Sequence, residues 1–129
     1  MTDKIDRLFP RAIKGAPEFD DRVAHRREVV EYVPSALDVF AETAQDYYDD
    51  AACLLVKKQA DYGPKNISNA PGGPMNGLQV RMSDKLARII HLLASDATPE
   101  NESLRDSFID LANYSIIALM VLDEVWPNE

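Results

Sequence analysis

Apolar residues recur at helical spacing through most of this chain, and no segment alternates with period two for long, so the pattern predicts an all-α protein. Leu37, Phe40, Ala44, Tyr47, Ala51, Leu54 and Leu55 mark one stripe, which predicts a helix from Ser35 to about Ala60. Ser35-Ala36-Leu37-Asp38 supplies its start, a hydroxyl at the N-cap with an acid three residues on, in the manner of a capping box. Leu78, Met82, Leu86, Ile89, Ile90 and Leu93 share one face of a second helix, from about Gly77 to Ala94. Thr98 as N-cap, Pro99 at the first helical position and Glu100 in the first turn predict the start of a third helix. It is expected to reach Val125 or Trp126, where Pro127 stops it, a length of about 40 Å at about 1.5 Å per residue. The expected architecture is a bundle of about three to four main helices.

The connections read differently. Residues 61–76, DYGPKNISNAPGGPMN, form a loop by composition, with Gly63-Pro64 and Pro71-Gly72-Gly73-Pro74 as breakers. A connection this long is unusual in a compact domain, and such loops are disproportionately functional or mobile. Residues 1–34 are charged and punctuated by prolines at 10, 17 and 34. They read as an irregular N-terminal arm, with a short helix or strand from Val23 to Tyr32, that packs on the body or on a partner subunit. The expected organisation is an arm over 1–34 and a single helical domain over 35–129.

Charge placement changes the picture at three points. Lys58 falls at the centre of the apolar stripe of the first helix, so it must snorkel to water or meet an anion. The acids of that helix, Asp38, Glu42, Asp46, Asp49 and Asp50, fall on the opposite, solvent-facing side. On the second helix Arg81, Lys85 and Arg88 lie within about 60° of arc, either as a solvated face with an Asp84–Arg88 pair or as a phosphate-binding stripe. On the third, Glu102, Asp106, Asp110 and Asn113 fall within about 80° of arc. Beyond Asn113 the same arc turns apolar at Ile117, Met120 and Val121, so the helix is expected to be buried on both sides, with its acidic stripe opening into a cleft. Acids at that spacing repel one another, and a divalent cation would relieve them; a solvated or salt-bridged face is the other reading. In the loop, Asp61 is a backbone cap or metal ligand, Tyr62 a stacking platform for a base, and Lys65 and Asn66 candidates for phosphate or sugar.

The 129 residues fit one domain. Fourteen basic against 22 acidic residues leave a net charge of −8. That argues against sequence-independent nucleic-acid binding, which needs a basic footprint, but leaves room for a small phosphate ligand on a local cluster. Cys53 is the single cysteine, so no intrachain disulfide forms, in keeping with a reducing compartment. The first residues contain no apolar signal core, and no run of about 18 apolar residues is present, so neither secretion nor a membrane span is expected. No zinc pattern, P-loop, nucleophile triad or dinucleotide fingerprint occurs.

Three motifs in order carry a resemblance. K-x-x-D-Y-G (Lys58 to Gly63) with Asn66, V-R-M-x-D-K-L-A-R (Val80 to Arg88) and E-S-L-R-D-S-F-I-D-L-A-N-Y (Glu102 to Tyr114) resemble phage and bacterial proteins of the nucleotide-modification-associated domain 1 type. The likeness covers about residues 35–125 and implies a place in phage-type nucleotide metabolism, hence a cytoplasmic location, in the host if phage-encoded. More distantly, the chain is similar to the all-α nucleoside triphosphate pyrophosphohydrolases of the MazG and dimeric dUTPase kind. Those are helical, usually oligomeric and Mg²⁺-dependent, with an E-x-x-E helix and an E-x-x-D helix. Here Glu102 and Asp106 stand one residue further apart than E-x-x-D, and the first helix has no E-x-x-E.

The resemblance implies a Mg²⁺- or Mn²⁺-dependent pyrophosphohydrolase acting on a (deoxy)nucleoside triphosphate. Glu102, Asp106 and Asp110 would hold the metal, and Lys58 and Asp106 would be catalytic. Asp61, Tyr62, Lys65, Asn66, Arg81, Lys85, Arg88 and Asn113 would bind the nucleotide. Two other readings stay open: a module that binds or sequesters a nucleotide without turning it over, and a structural or adaptor protein whose stripes are subunit interfaces. The expected partners are a small-molecule nucleotide and further copies of the chain, as a dimer or tetramer, with neither nucleic acid nor membrane.

Overall fold

The computed structural model describes residues 31–96 and 98–128, and among them the only regular elements are helices. In chain order these are α1 (Ala36–Tyr62), α2 (Lys65–Ser68), α3 (Pro74–Ala94) and α4 (Leu104–Leu122). The arm expected over 1–34 lies almost entirely outside the described residues. Residues 34–129 make one compact unit.

The start of α1 is the expected one. The Asp38 amide donates to Ser35 Oγ at 3.1 Å, and the Ser35 amide donates to Asp38 Oδ2 at 2.8 Å, so each satisfies an otherwise orphan donor of the first turn. The helix stops at Gly63, whose φ of 67° suits a residue without a Cβ and whose amide still donates to Gln59 O.

Residues 61–76 are more ordered than their composition predicts. Pro64 opens the single turn α2, and Ile67 within it is buried at the centre of the core with Leu78 and Ile117. Leu55, Tyr114, Ala118, Val121 and Trp126 pack around that cluster. An isolated apolar residue among turn formers shows no periodicity, which is why Ile67 reads as loop. The α3 helix begins at Pro74, slightly earlier than expected, because proline's missing N–H costs nothing in the first turn.

The third helix is shorter than expected at both ends. Thr98 and Pro99 do not start it; they sit in an irregular link. Ser103 starts it with a second capping box, donating from its amide to Asp106 Oδ2 at 3.1 Å and accepting from the Asp106 amide at 3.1 Å. Thr98 has the neutral Asn101 three residues on, a weaker reciprocal acceptor than a carboxylate at a helix start, and the Ser103–Asp106 box prevails. At the other end Glu124 takes φ 57°, and the Val125 amide donates to Met120 O at 2.9 Å. This closes the helix ahead of Pro127 and turns Trp126 back toward the loop after α1. The Trp126 indole N–H donates to Pro64 O at 3.2 Å.

The α4 helix packs along much of α3 and more sparsely against α1, with α2 against α3. Tyr47 lies by Arg105, the Ala51 carbonyl accepts from Asn113, and Leu55 packs in the cluster with Ile117, so α1 and α4 run in the same direction. The expected double burial of α4 is met on one side only. Asp110, Asn113 and Ile117 are buried, whereas Phe108, Leu119 and Leu122 on the other side are half exposed or more. No residue of α1 is fully buried.

Candidate functional site

Three helices bring one charged chain of contacts together. Asp110, 8% exposed at its side chain, receives Lys58 Nζ on Oδ1 at 2.5 Å and Lys85 Nζ on Oδ2 at 2.9 Å. Lys85 continues to Glu102, reaching Oε1 at 2.6 Å and Oε2 at 2.8 Å. Arg88 donates to the Glu102 backbone carbonyl and lies 3.7 Å from its carboxylate. The anion that Lys58 requires on its apolar stripe is therefore Asp110, and the partner of Arg88 is Glu102 rather than Asp84. Arg81 stands apart: its guanidinium donates to Asn66 O at 3.2 Å, and it forms no ion pair among the described residues.

These side chains flank a cleft of about 380 Å³, within the usual size range of small-molecule sites. Lys58, Arg81, Lys85, Asp110 and Asn113 supply its polar wall. Tyr62, Tyr114 and Trp126, with Leu55, Ile67 and Ile117, supply the apolar one. Asn66 also lines it, and its buried Oδ1 has no hydrogen-bond partner. An acceptor left unsatisfied at the wall of a cleft is a place where a ligand donor can be received. Asn113 is held by its Nδ2, which donates to Ala51 O at 3.0 Å and fixes α4 against α1.

Electrostatics follow from that packing. Burial pushes the Asp110 carboxyl upward, but hydrogen bonds from Lys58 and Lys85 outweigh it and hold the group below its ordinary value. Burial pulls Lys85 downward, and its bonds to Glu102 and Asp110 outweigh that and raise it. Asp110 and Lys85 are thus both charged near neutrality. Counting Lys58, Arg81, Lys85 and Arg88 against Asp110 and Glu102, the site carries two net positive charges within a chain of net −8.

Lys58, Tyr62, Asn66, Arg81, Lys85, Asp110 and Asn113 therefore line one cleft. Arg88 and Glu102 join through the charge network without lining it. Asp61 and Lys65 are exposed and do not line it. Asp106 is elsewhere: it is the capping-box acid of α4, its Oδ2 receiving both Ser103 N and Ser103 Oγ, and the Ser103 hydroxyl holds its carboxyl below the usual range. No three acidic, histidine or cysteine side chains among the described residues converge as a metal set. Both carboxylate oxygens of Glu102 and of Asp110 are engaged by lysines, and Asp106 is turned to the helix cap through Oδ2, so the three do not come together as a magnesium set.

Gln59, Tyr114 and Trp126 line the cleft unforeseen. Tyr114 closes the third motif one turn beyond Asp110, and Gln59 follows Lys58 inside the first, so both were within reach of the sequence; Trp126 lies past the helix end and carries no periodic signal.

Residues 58–122 match the profile of the family described as nucleotide modification associated domain 1. The chain belongs to that family. The match begins at Lys58 and spans α2, α3 and α4, so it contains every charged member of the cleft. No curated protein and no solved structure matches this chain. No described helix is long and apolar enough to cross a membrane.

Proposed function

We propose that this domain binds a small phosphorylated nucleotide in the cleft between α1, α3 and α4. The carrying observation is Arg81, a guanidinium at the cleft wall whose hydrogen bond goes to a neutral carbonyl rather than to a carboxylate. Its planar fork of donors suits a phosphate. Lys58, 39% exposed at its side chain, can turn from Asp110 to an incoming anion while Lys85 keeps Asp110 neutralised. Tyr62 and the anchored Trp126 offer ring faces for a base, and Asn66 Oδ1 accepts from a base N–H or a sugar hydroxyl. The family's description, which concerns nucleotide modification, supports the ligand class.

Binding without turnover is favoured over Mg²⁺-dependent pyrophosphate release because the three acids that would hold the metal are engaged within the protein. Calorimetric titration with (deoxy)nucleoside mono-, di- and triphosphates, with and without Mg²⁺ or Mn²⁺, tests both readings. The expected result is binding of at least one phosphorylated nucleotide, recovered unchanged, weakened about tenfold or more by Arg81→Ala. Failure of every nucleotide to bind would overturn the proposal. Release of pyrophosphate would instead restore the hydrolase.

A further inference from the structure

The face of α4 turned away from the cleft is largely apolar and only partly covered by the described residues. At about 100° per residue, Phe108, Ala112, Ser115 and Leu119 form a row roughly opposite Asp110 and Ile117. Phe108 is 50% and Leu119 55% exposed. A groove runs along each side of that row. One, of about 910 Å³, lies between α1 and α4 and includes Phe40, Tyr47 and Phe108; the other, of about 520 Å³, lies between α3 and α4 and includes Met82 and Leu86. The three long helices thus form a layer with a charged side and an apolar side. Stable helical domains bury such a side against a second layer.

We infer that the second layer is another copy of this chain, packed face to face about a two-fold axis, with the Phe108–Leu119 row of each copy seated in a groove of the other. Ridge and groove occur together on one surface, which is the condition for an isologous interface. Charge points the same way. Among the residues lining the two grooves, Asp50 and Arg105 are the charged ones, so the pair is balanced. In a chain of net −8, a balanced apolar face keeps like charges out of the contact between two copies. The α1 acids Glu42, Asp46 and Asp49 do not line either groove. The cleft lies on the other side and stays open in the assembly.

Sedimentation equilibrium of the full chain across a wide dilution series tests this. The expected mass is twice 14.4 kDa, falling to one chain in Phe108→Glu and in Leu119→Glu, with helical circular dichroism retained. A wild-type monomer at all concentrations overturns the inference, including a monomer whose grooves are covered by its own residues 1–30. So does a dimer that survives in both folded variants. Should the variants unfold, hydrogen exchange on the wild type decides: slowing of amides in 104–122 with rising concentration supports the interface, and concentration-independent exchange overturns it.

Discussion

Asp110 is the hinge of the charge chain, because it alone among the described residues meets two lysines from two different helices. Replacing it with alanine leaves Lys85, 18% exposed at its side chain, without one of its two anions, whereas Lys58 can turn to water. Asp110→Ala is therefore expected to cost about 2–3 kcal/mol of unfolding free energy, read by urea denaturation. The pH dependence follows from the direction of its shift. A carboxylate held below its ordinary value stabilises the fold above about pH 4 and loses that contribution as pH falls through the folded-state value. The stability gap between wild type and Asp110→Asn is expected to be constant down to about pH 4 and to close below it. Lys85, raised, contributes below about pH 10.4 and loses its share as pH rises through its folded-state value. A gap that widens in acid would contradict this assignment. The sequence made Lys58 conspicuous, since a cation on an apolar stripe demands an anion. It did not say which anion, because α1 and α4 meet through a pairing that no local spacing encodes.

At the level of elements, the helix starts were legible where a hydroxyl and an acid stand three residues apart, and obscured where two start signals compete. Ser35 and Asp38 had no rival. Thr98-Pro99 masked Ser103, and with it the fact that Asp106 serves the cap rather than the cleft. Ser103→Ala is expected to lose about 1 kcal/mol, measured by thermal unfolding. The same change should lessen the dependence of stability on Asp106. The loop after α1 holds a second element-scale constraint. A Cβ added at Gly77 would stand 2.4 Å from Ala70 Cβ, so α3 and the preceding turn touch there. Gly77→Ala should destabilise by about 1–3 kcal/mol although alanine is the better helix former by about 1 kcal/mol, because overpacking exceeds propensity. Unchanged or improved stability would mean that the turn moves freely.

For the whole molecule, amphipathic periodicity was enough to specify an all-helical fold with three long helices and their order. It did not reveal that they form an open layer, because a stripe predicts that a face is buried without saying what buries it. Phe40 and Tyr47 obey the stripe, yet stand 68% and 60% exposed. Nucleotide binding should raise the thermal midpoint in proportion to the logarithm of ligand concentration and lose strength with added salt, as expected when cations meet phosphate. A salt-independent affinity would assign the ligand to the aromatic wall instead. The tie between Trp126 and Pro64 has a practical consequence. The chain has a single tryptophan, and it is fixed at the mouth of the cleft with its indole N–H already spent. Its fluorescence is an intrinsic gauge of occupancy, one that a stacked purine would quench and that needs no label.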